Sequence, residues 1–303
     1  MKKLTLILLF ATVSGAVLAN NVQAQISSHD LNLQGDLFGN QIRIDRTPTG
    51  VRIVGVNGTR VNGLPSVHFV SGPLVNVTGQ MGAGNDWVHF RSDNNLGDVV
   101  LEAGDGHDSI IVTGSQSRAN LNLKGEAGAD RIAVDDSYAL GDITLDGGIG
   151  ANTLRSYRTR CDENFKAIGG DLNDRMDFGN LVVGGAIEIA SDKGNDIIAL
   201  SGASVGLSAL ISTDAGADRV TMSSVEAWED VHVETGDQND VVGLTNVRAH
   251  KNIGVQLGSG DDRLTASSVA ALFDAIAIGG AGFDLFANFG FVGGVKTEIV
   301  EFE

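Results

Sequence analysis

An all-β fold, a right-handed parallel β-helix of about ten coils, is what this chain predicts, and three observations carry that expectation. Asp recurs at one phase, at Asp86, Asp108, Asp130, Asp174, Asp196, Asp218, Asp240, Asp262 and Asp284, with Asn152 filling the one remaining place. The step is 22 residues throughout, and a fixed period without insertions is the signature of a solenoid whose turns bury their apolar faces only against their neighbours. Within each period short apolar alternations mark half-buried strands, and 41 Gly against 3 Pro suits a turn-rich β architecture.

Taken in chain order, residues 1–24 read as a secretory signal. Lys2 and Lys3 precede an apolar run over 4–18 that ends in small residues, with cleavage compatible after Ala19 or Ala24. The run is shorter than the ~20 apolar residues that span a bilayer, and no later segment approaches that length, so no membrane insertion is expected after its removal. Residues 25–79 read as an N-terminal β cap with a first partial coil. Residues 41–45 and 51–56 alternate, Asn57-Gly58 is a strong hairpin turn into 59–61, and 74–78 reads as the first, incomplete coil strand.

Residues 80–303 are the helix proper. With the recurrent Asp as position one, position three holds Val88, Ile110, Ile132, Leu154, Met176, Ile198, Val220, Val242, Leu264 and Phe286, and position five is mostly apolar too. A second alternation falls at positions fourteen and sixteen, as in Val99 with Leu101 and Ile253 with Val255; a weaker third falls at eight and ten, as in Leu181 with Val183. Three strands per coil cannot pair with one another inside 22 residues, so each pairs in parallel with its counterpart one coil on, about 4.8 Å away, which gives three short sheets. Right-handedness follows from the general rule for parallel crossovers. The segment 157–174 is the weakest repeat and predicts a local bulge rather than a boundary, and 295–303 reads as a capping strand with a charged tip.

The formal charge is −17, which repels nucleic acid and favours cations. Cys161 is the only cysteine and shares a column with Ala139, Val183 and Val205, so it reads as a small buried hydrophobe. The six histidines lie in different columns or outside the coil and have no zinc-ligand spacing; neither a G-x-S-x-G elbow nor a phosphate-binding G-x-x-x-x-G-K loop occurs. No catalytic or cofactor-binding residue is assigned. The strict period leaves no room for the long loops that build a substrate cleft, and Trp87, Tyr138, Tyr157 and Trp228 fall in four columns rather than one stripe.

The chemistry-bearing feature is the bend before each Asp. Glycine stands two residues earlier at Gly84, Gly106, Gly128, Gly150, Gly194, Gly216, Gly260 and Gly282, and is replaced by Leu172 and Gln238. Stacked bends set carboxylates about 4.8 Å apart, where two bare charges repel by roughly 0.9 kcal/mol in water and about 3.5 at an effective dielectric of 20. Something must offset that repulsion. A hard divalent cation between bends is one answer, and Arg131, Arg175, Arg219 and Arg263, each one residue after a ladder Asp on alternate coils, are another.

The stretches Gly104-Asp105-Gly106-His107-Asp108-Ser109-Ile110 and Gly258-Ser259-Gly260-Asp261-Asp262-Arg263-Leu264 resemble the haemolysin-type, or RTX, calcium-binding repeat. That resemblance implies Ca²⁺ between adjacent bends in a secreted protein, with candidate ligands at Gly82, Gly84, Asp86, Gly104, Gly106, Asp108, Asp130, Asp196, Asp218, Asp240, Gly258, Gly260, Asp262, Gly280, Gly282 and Asp284. The period departs from the family's, which is nine residues with two glycine bends per coil; the doubled glycine is mostly absent; and the family commonly leaves the cell without an N-terminal signal. A second Asx column, Asp98, Asn120, Asp142, Asn164, Asp230, Asn252 and Asp274, mixes Asn with Asp as turn formation alone permits, whereas the first is nearly all Asp.

These readings lead to a secreted or periplasmic, non-catalytic solenoid that binds calcium in stacked Gly-x-Gly-x-Asp bends and has a structural or adhesive role. Its expected partners are calcium, an extracellular polysaccharide or another surface protein, and not nucleic acid. The alternative is a polysaccharide-binding or polysaccharide-cleaving β-helix.

Overall fold

The computed structural model describes residues 20–70, 76–92 and 96–303. The apolar leader over 4–18 and the start of the segment 74–78 lie outside the described residues. Strands and turns account for the regular structure, with no helix among the described residues.

Each coil is built as the alternations foretell. After the Asp comes a first strand, such as Ser109–Thr113, then a two-residue strand, such as Gln116–Ser117, then a third, such as Leu121–Ala127. Ser109–Thr113 pairs in parallel with Trp87–Arg91 and Arg131–Asp135, Gln116–Ser117 with Tyr138–Ala139, and Leu121–Ala127 with Val99–Asp105 and Ile143–Asp146, every partner 22 residues away. From Arg219 onward the first and second strands fuse into nine-residue strands, Arg219–Ala227, Val241–Ala249, Arg263–Ala271 and Leu285–Gly293. The corner survives inside them as one residue at positive φ: Ser224, Asn246, Ser268 and Gly290, in column with Gly114, Asp136, Arg158, Asn180 and Gly202. Gly, Asn and Asp tolerate that conformation best, which is why this corner recurs without an apolar signal.

The core is a stack of inward side chains. Ile110, Ile132, Leu154, Met176, Ile198 and Val220 lie one above another, faced by Leu123, Leu145, Ala167, Ile189, Ile211 and Val233 from the third strands, all buried. Cys161 is buried among them, and burial pushes its thiol up to about 12, as for an inert core residue. The segment 157–174 contains no boundary: Thr153–Tyr157 and Arg175–Gly179 pair in register. Its irregularity is confined to Leu172, an exposed residue at φ +83 where glycine is otherwise used.

The cap differs in detail from expectation. Its first strand, Asn21–Ser27, begins inside the segment 1–24 and pairs antiparallel with Asp30–Gln34. Val22 is fully buried, so cleavage after Ala24 would remove packed core, whereas cleavage after Ala19 leaves the strand whole. Gln41–Thr47, Gly50–Gly55 and Ser66–Val70 form an antiparallel meander. Asn57 and Gly58 do turn at positive φ, but the strand that follows, Arg60–Val61, pairs in parallel with Asn21–Ser27 instead of closing a hairpin on 51–56. Asp30–Gln34 and Gln41–Thr47 pair in parallel with Val77–Ala83 and Trp87–Arg91, so the cap contributes a coil of its own. At the other end Lys296–Val300 pairs with Asp274–Ala281, as the charged terminal segment foretold.

Candidate functional site

The Gly-x-Gly-x-Asp bend is a pair of positive-φ residues separated by one. The first is at φ +103 in Gly82, +105 in Gly104, +104 in Gly258 and +112 in Gly280; the second is at +107 in Gly84, +150 in Gly106, +151 in Gly260 and +144 in Gly282. Stacking adds a second reason for glycine, because a Cβ on Gly106 would meet the Gly84 carbonyl oxygen at 1.8 Å. The two exceptions at the second position, Leu172 and Gln238, keep the positive φ and bear its strain.

All the predicted Asp ligands fall in a single column, and they point inward. Asp86, Asp108, Asp130, Asp174, Asp196, Asp218, Asp240, Asp262 and Asp284 are 0–4% exposed. Each Oδ1 accepts the backbone N–H of the rung one coil earlier: Asp86 N–H donates to Asp108 at 2.6 Å, Asp196 N–H to Asp218 at 2.7 Å, and Asp262 N–H to Asp284 at 2.9 Å. Asn152 is an ordinary rung, accepting from Asp130 at 2.9 Å and receiving no break in the run.

One rung is not visible in the period. Asn40 is fully buried and donates its N–H to Asp86 Oδ1 at 2.5 Å, so the ladder starts 46 residues before Asp86. The insertion of the cap meander between the two hides the phase; the only trace is Gly39 against the stacked Asn85. A further ladder went unread, running along the residues just before the Asp: His107 N–H donates to Asn85 Oδ1, Ala129 N–H to His107 Nδ1, and Asp261 N–H to Asn239 Oδ1. Its mixed residue types give no periodic signal.

The second oxygen decides the chemistry. In all nine Asp rungs Oδ2 is buried outside hydrogen-bonding geometry, although the Ser191, Thr213 and Thr235 hydroxyls lie beside Asp196, Asp218 and Asp240 and partly offset the effect of burial there. In Asn152 the corresponding Nδ2 donates to the carbonyl oxygens of Gly150 and Gly169 at 3.0 Å each. The place occupied by Oδ2 therefore faces acceptors, and an atom there is satisfied by carrying a proton. Burial, with smaller contributions from neighbouring rungs, pushes the Asp86, Asp174 and Asp240 carboxyls up to about 7 and Asp108 up to about 6. Burial also raises Asp130, Asp196, Asp218 and Asp262. Near neutral pH the column is thus partly a stack of neutral acids.

Arginine does not neutralise it. Arg131, Arg175, Arg219 and Arg263 project outward, exposed, and make no ion pair with ladder Asp among the described residues. The reason is the strand's period of two: the residue after an inward Asp faces solvent. Calcium needs six to eight oxygens, whereas each coil offers one uncommitted carboxylate oxygen. No group of three or more His, Cys, Asp or Glu side chains suited to a metal converges among the described residues.

The remaining candidates scatter. Tyr138 and Tyr157 donate their hydroxyls to Asp162 and Asp177, at 2.7 and 2.9 Å, and Trp228 stacks on His250 with ring centroids 4.4 Å apart. Comparison with known proteins gives no relative: no family model, no curated protein and no solved structure matches the chain.

Proposed function

We propose that this protein is an exported, non-catalytic rod with a structural or adhesive role. The carrying observation is the register: from Val77–Ala83 to Lys296–Val300 every parallel strand pairing advances by 22 residues, only the isolated bridge Leu96–Ser117 slips by one, and no inserted loop walls a cleft among the described residues. The side-chain ladders lock each coil to the next, so the repeat favours stiffness over a localised site. Incubation with a panel of acidic and neutral polysaccharides tests this; unchanged polymer length is expected, and chain cleavage would overturn the reading.

Export follows from the leader 1–19 and from a first cap strand that starts at Asn21. Terminal sequencing of the product recovered outside the cytoplasm should begin at Asn20; a chain that stays cytoplasmic and retains Met1 contradicts it. Calcium remains the ligand implied by the Gly-x-Gly-x-Asp bends, and the free Oδ2 atoms are where it would have to act. Melting in millimolar calcium chloride against chelator separates the two ways of satisfying those atoms. Equal melting temperatures are expected of a proton-held column, and a calcium-dependent rise would assign the column to the metal.

A further inference from the structure

We propose that the outer face of the first-strand sheet binds a linear, sparsely charged anionic polysaccharide laid along the rod. From Trp87–Arg91 to Leu285–Gly293 this face carries Arg91, Arg131, Arg155, Arg175, Arg219, Arg248 and Arg263, against three acids, Asp135, Asp177 and Glu226. That is a basic face on a chain of net charge −17. The opposite sheet shows the contrast: its Lys124 and Lys166 are each bonded to a glutamate on an adjacent coil, at 2.9 and 2.7 Å. On the arginine face Arg131, Arg175, Arg219 and Arg263 make no ion pair among the described residues, and all are exposed.

Spacing selects the ligand. These four arginines occupy the same strand position on alternate coils, so their charges repeat about every 9.6 Å over about 29 Å. That advance is close to two residues of an extended sugar chain. It suits a glycan with one carboxylate per disaccharide, whereas a nucleic acid strand carries a phosphate every ~3.4 Å and would meet the acidic remainder of the protein. A guanidinium holds a carboxylate through two parallel hydrogen bonds, which makes arginine rather than lysine the fitting residue.

The groove has a defined start. A cavity of about 450 Å³ is lined by Arg131, Thr153, Arg155, Tyr157, Arg175 and Asp177. Thr153 sits between Arg131 and Arg175 and leaves a notch between their side chains. Arg155 lies over the Tyr157 ring at 4.7 Å and its guanidinium reaches Asp135 at 3.7 Å. Beyond it, toward the C-terminal end, the strand positions beside the arginine column carry small residues, Ala199, Ser201, Thr221, Ser223, Gly243 and Thr265, while Ile197 and Val241 stand between successive arginines.

The test uses the full mature chain and hyaluronan, a linear glycan with one carboxylate per disaccharide, in affinity electrophoresis and calorimetry at low and physiological salt. Binding to hyaluronan that weakens with salt is expected, with none to neutral dextran. The variant R131Q/R175Q/R219Q/R263Q should bind at least tenfold more weakly while its melting temperature stays that of the parent, because the side chains are solvent-facing. The variant K124Q/K166Q on the opposite face should bind as the parent does. Failure to bind hyaluronan, equal binding to dextran, tighter binding to single-stranded DNA, or an unaffected quadruple arginine variant would each overturn the proposal.

Discussion

Two Asx ladders run along this rod, one inside from end to end and one outside that Ala186 and Ser208 interrupt, and their difference explains why one is nearly all Asp and the other is not. In the outer ladder Asp98, Asn120, Asp142 and Asn164 each accept the N–H of the residue one coil later, at 2.9–3.1 Å. In the inner ladder the direction is reversed, and the later coil's side chain serves the earlier coil's N–H. Outside, Asp and Asn alternate coil by coil: Asn120 Nδ2 donates back to Asp98, Asn164 to Asp142, and Asn252 to Asp230, so no two carboxylates are adjacent there. Inside, carboxyl follows carboxyl with the second oxygen buried outside hydrogen-bonding geometry. The outer ladder solves its electrostatics with amides and water. The inner one has burial, protons and, beside Asp196, Asp218 and Asp240, a hydroxyl, and the amide of Asn152 in mid-ladder shows what a donor at that place does.

The largest effect expected from this comparison is on stability when a rung is cut. Asp218→Ala strands the buried Asp196 N–H and leaves a void, which should cost about 2–4 kcal/mol near pH 5. Asp142→Ala removes the acceptor of the solvent-reached Asn164 N–H and should cost about 1 kcal/mol or less. Denaturant unfolding of both variants checks the ordering, and equal losses would erase the distinction between the ladders.

The pH dependence comes next. Asp86, Asp108, Asp174 and Asp240 titrate near 6 to 7 when folded but near their ordinary 3.8 when unfolded, so folding takes up protons between those values. The stability contribution of each such group is fully present below about 3.8 and is lost as the pH rises through 6 to 7. The melting temperature should therefore rise on going from pH 8 to pH 5, opposite to a protein held by buried ion pairs, and a fall over that window would contradict the assignment.

Single-rung amides sharpen the same point. Asp174→Asn gives the Asn152 arrangement at a second rung, because Gly169 beside it leaves the room that Gly147 leaves beside Asn152, and should raise stability at pH 8 by about 1 kcal/mol while changing little at pH 5. A loss at pH 8 would mean the ionised form is held by something the amide cannot replace. Smaller still, Leu172→Gly relieves a side chain at φ +83, and melting should show a gain of up to about 1 kcal/mol.

Much of this architecture was legible because a 22-residue period multiplies weak signals. No single Val or Ile marks a strand, but Val88, Ile110 and Ile132 at the same phase do, and all three are buried. The inward column was legible as a column but not as to its direction. Its step from Asp130 to the exposed Arg131 is the strand's own alternation, yet the bend before it obscures which face comes first. The arginines therefore stand in the sequence as one of two candidate counter-charges, and in the fold they face outward. Asn40 was hidden because the cap meander breaks the phase, and the ladder through Asn85, His107 and Asn239 because its rungs share an acceptor atom rather than a residue type. The cap pairing of Arg60–Val61 with Asn21–Ser27 joins residues from either end of the meander, which no local turn signal encodes.

The most direct measurement is the carboxyl titration of the inner rungs by carbon-13 nuclear magnetic resonance, in chelator and in calcium. Asp86, Asp174 and Asp240 should titrate near 7 in both solutions, well above the ordinary carboxylate range. Midpoints at or below 4, or midpoints driven down only when calcium is added, would contradict a column held together by burial and protons.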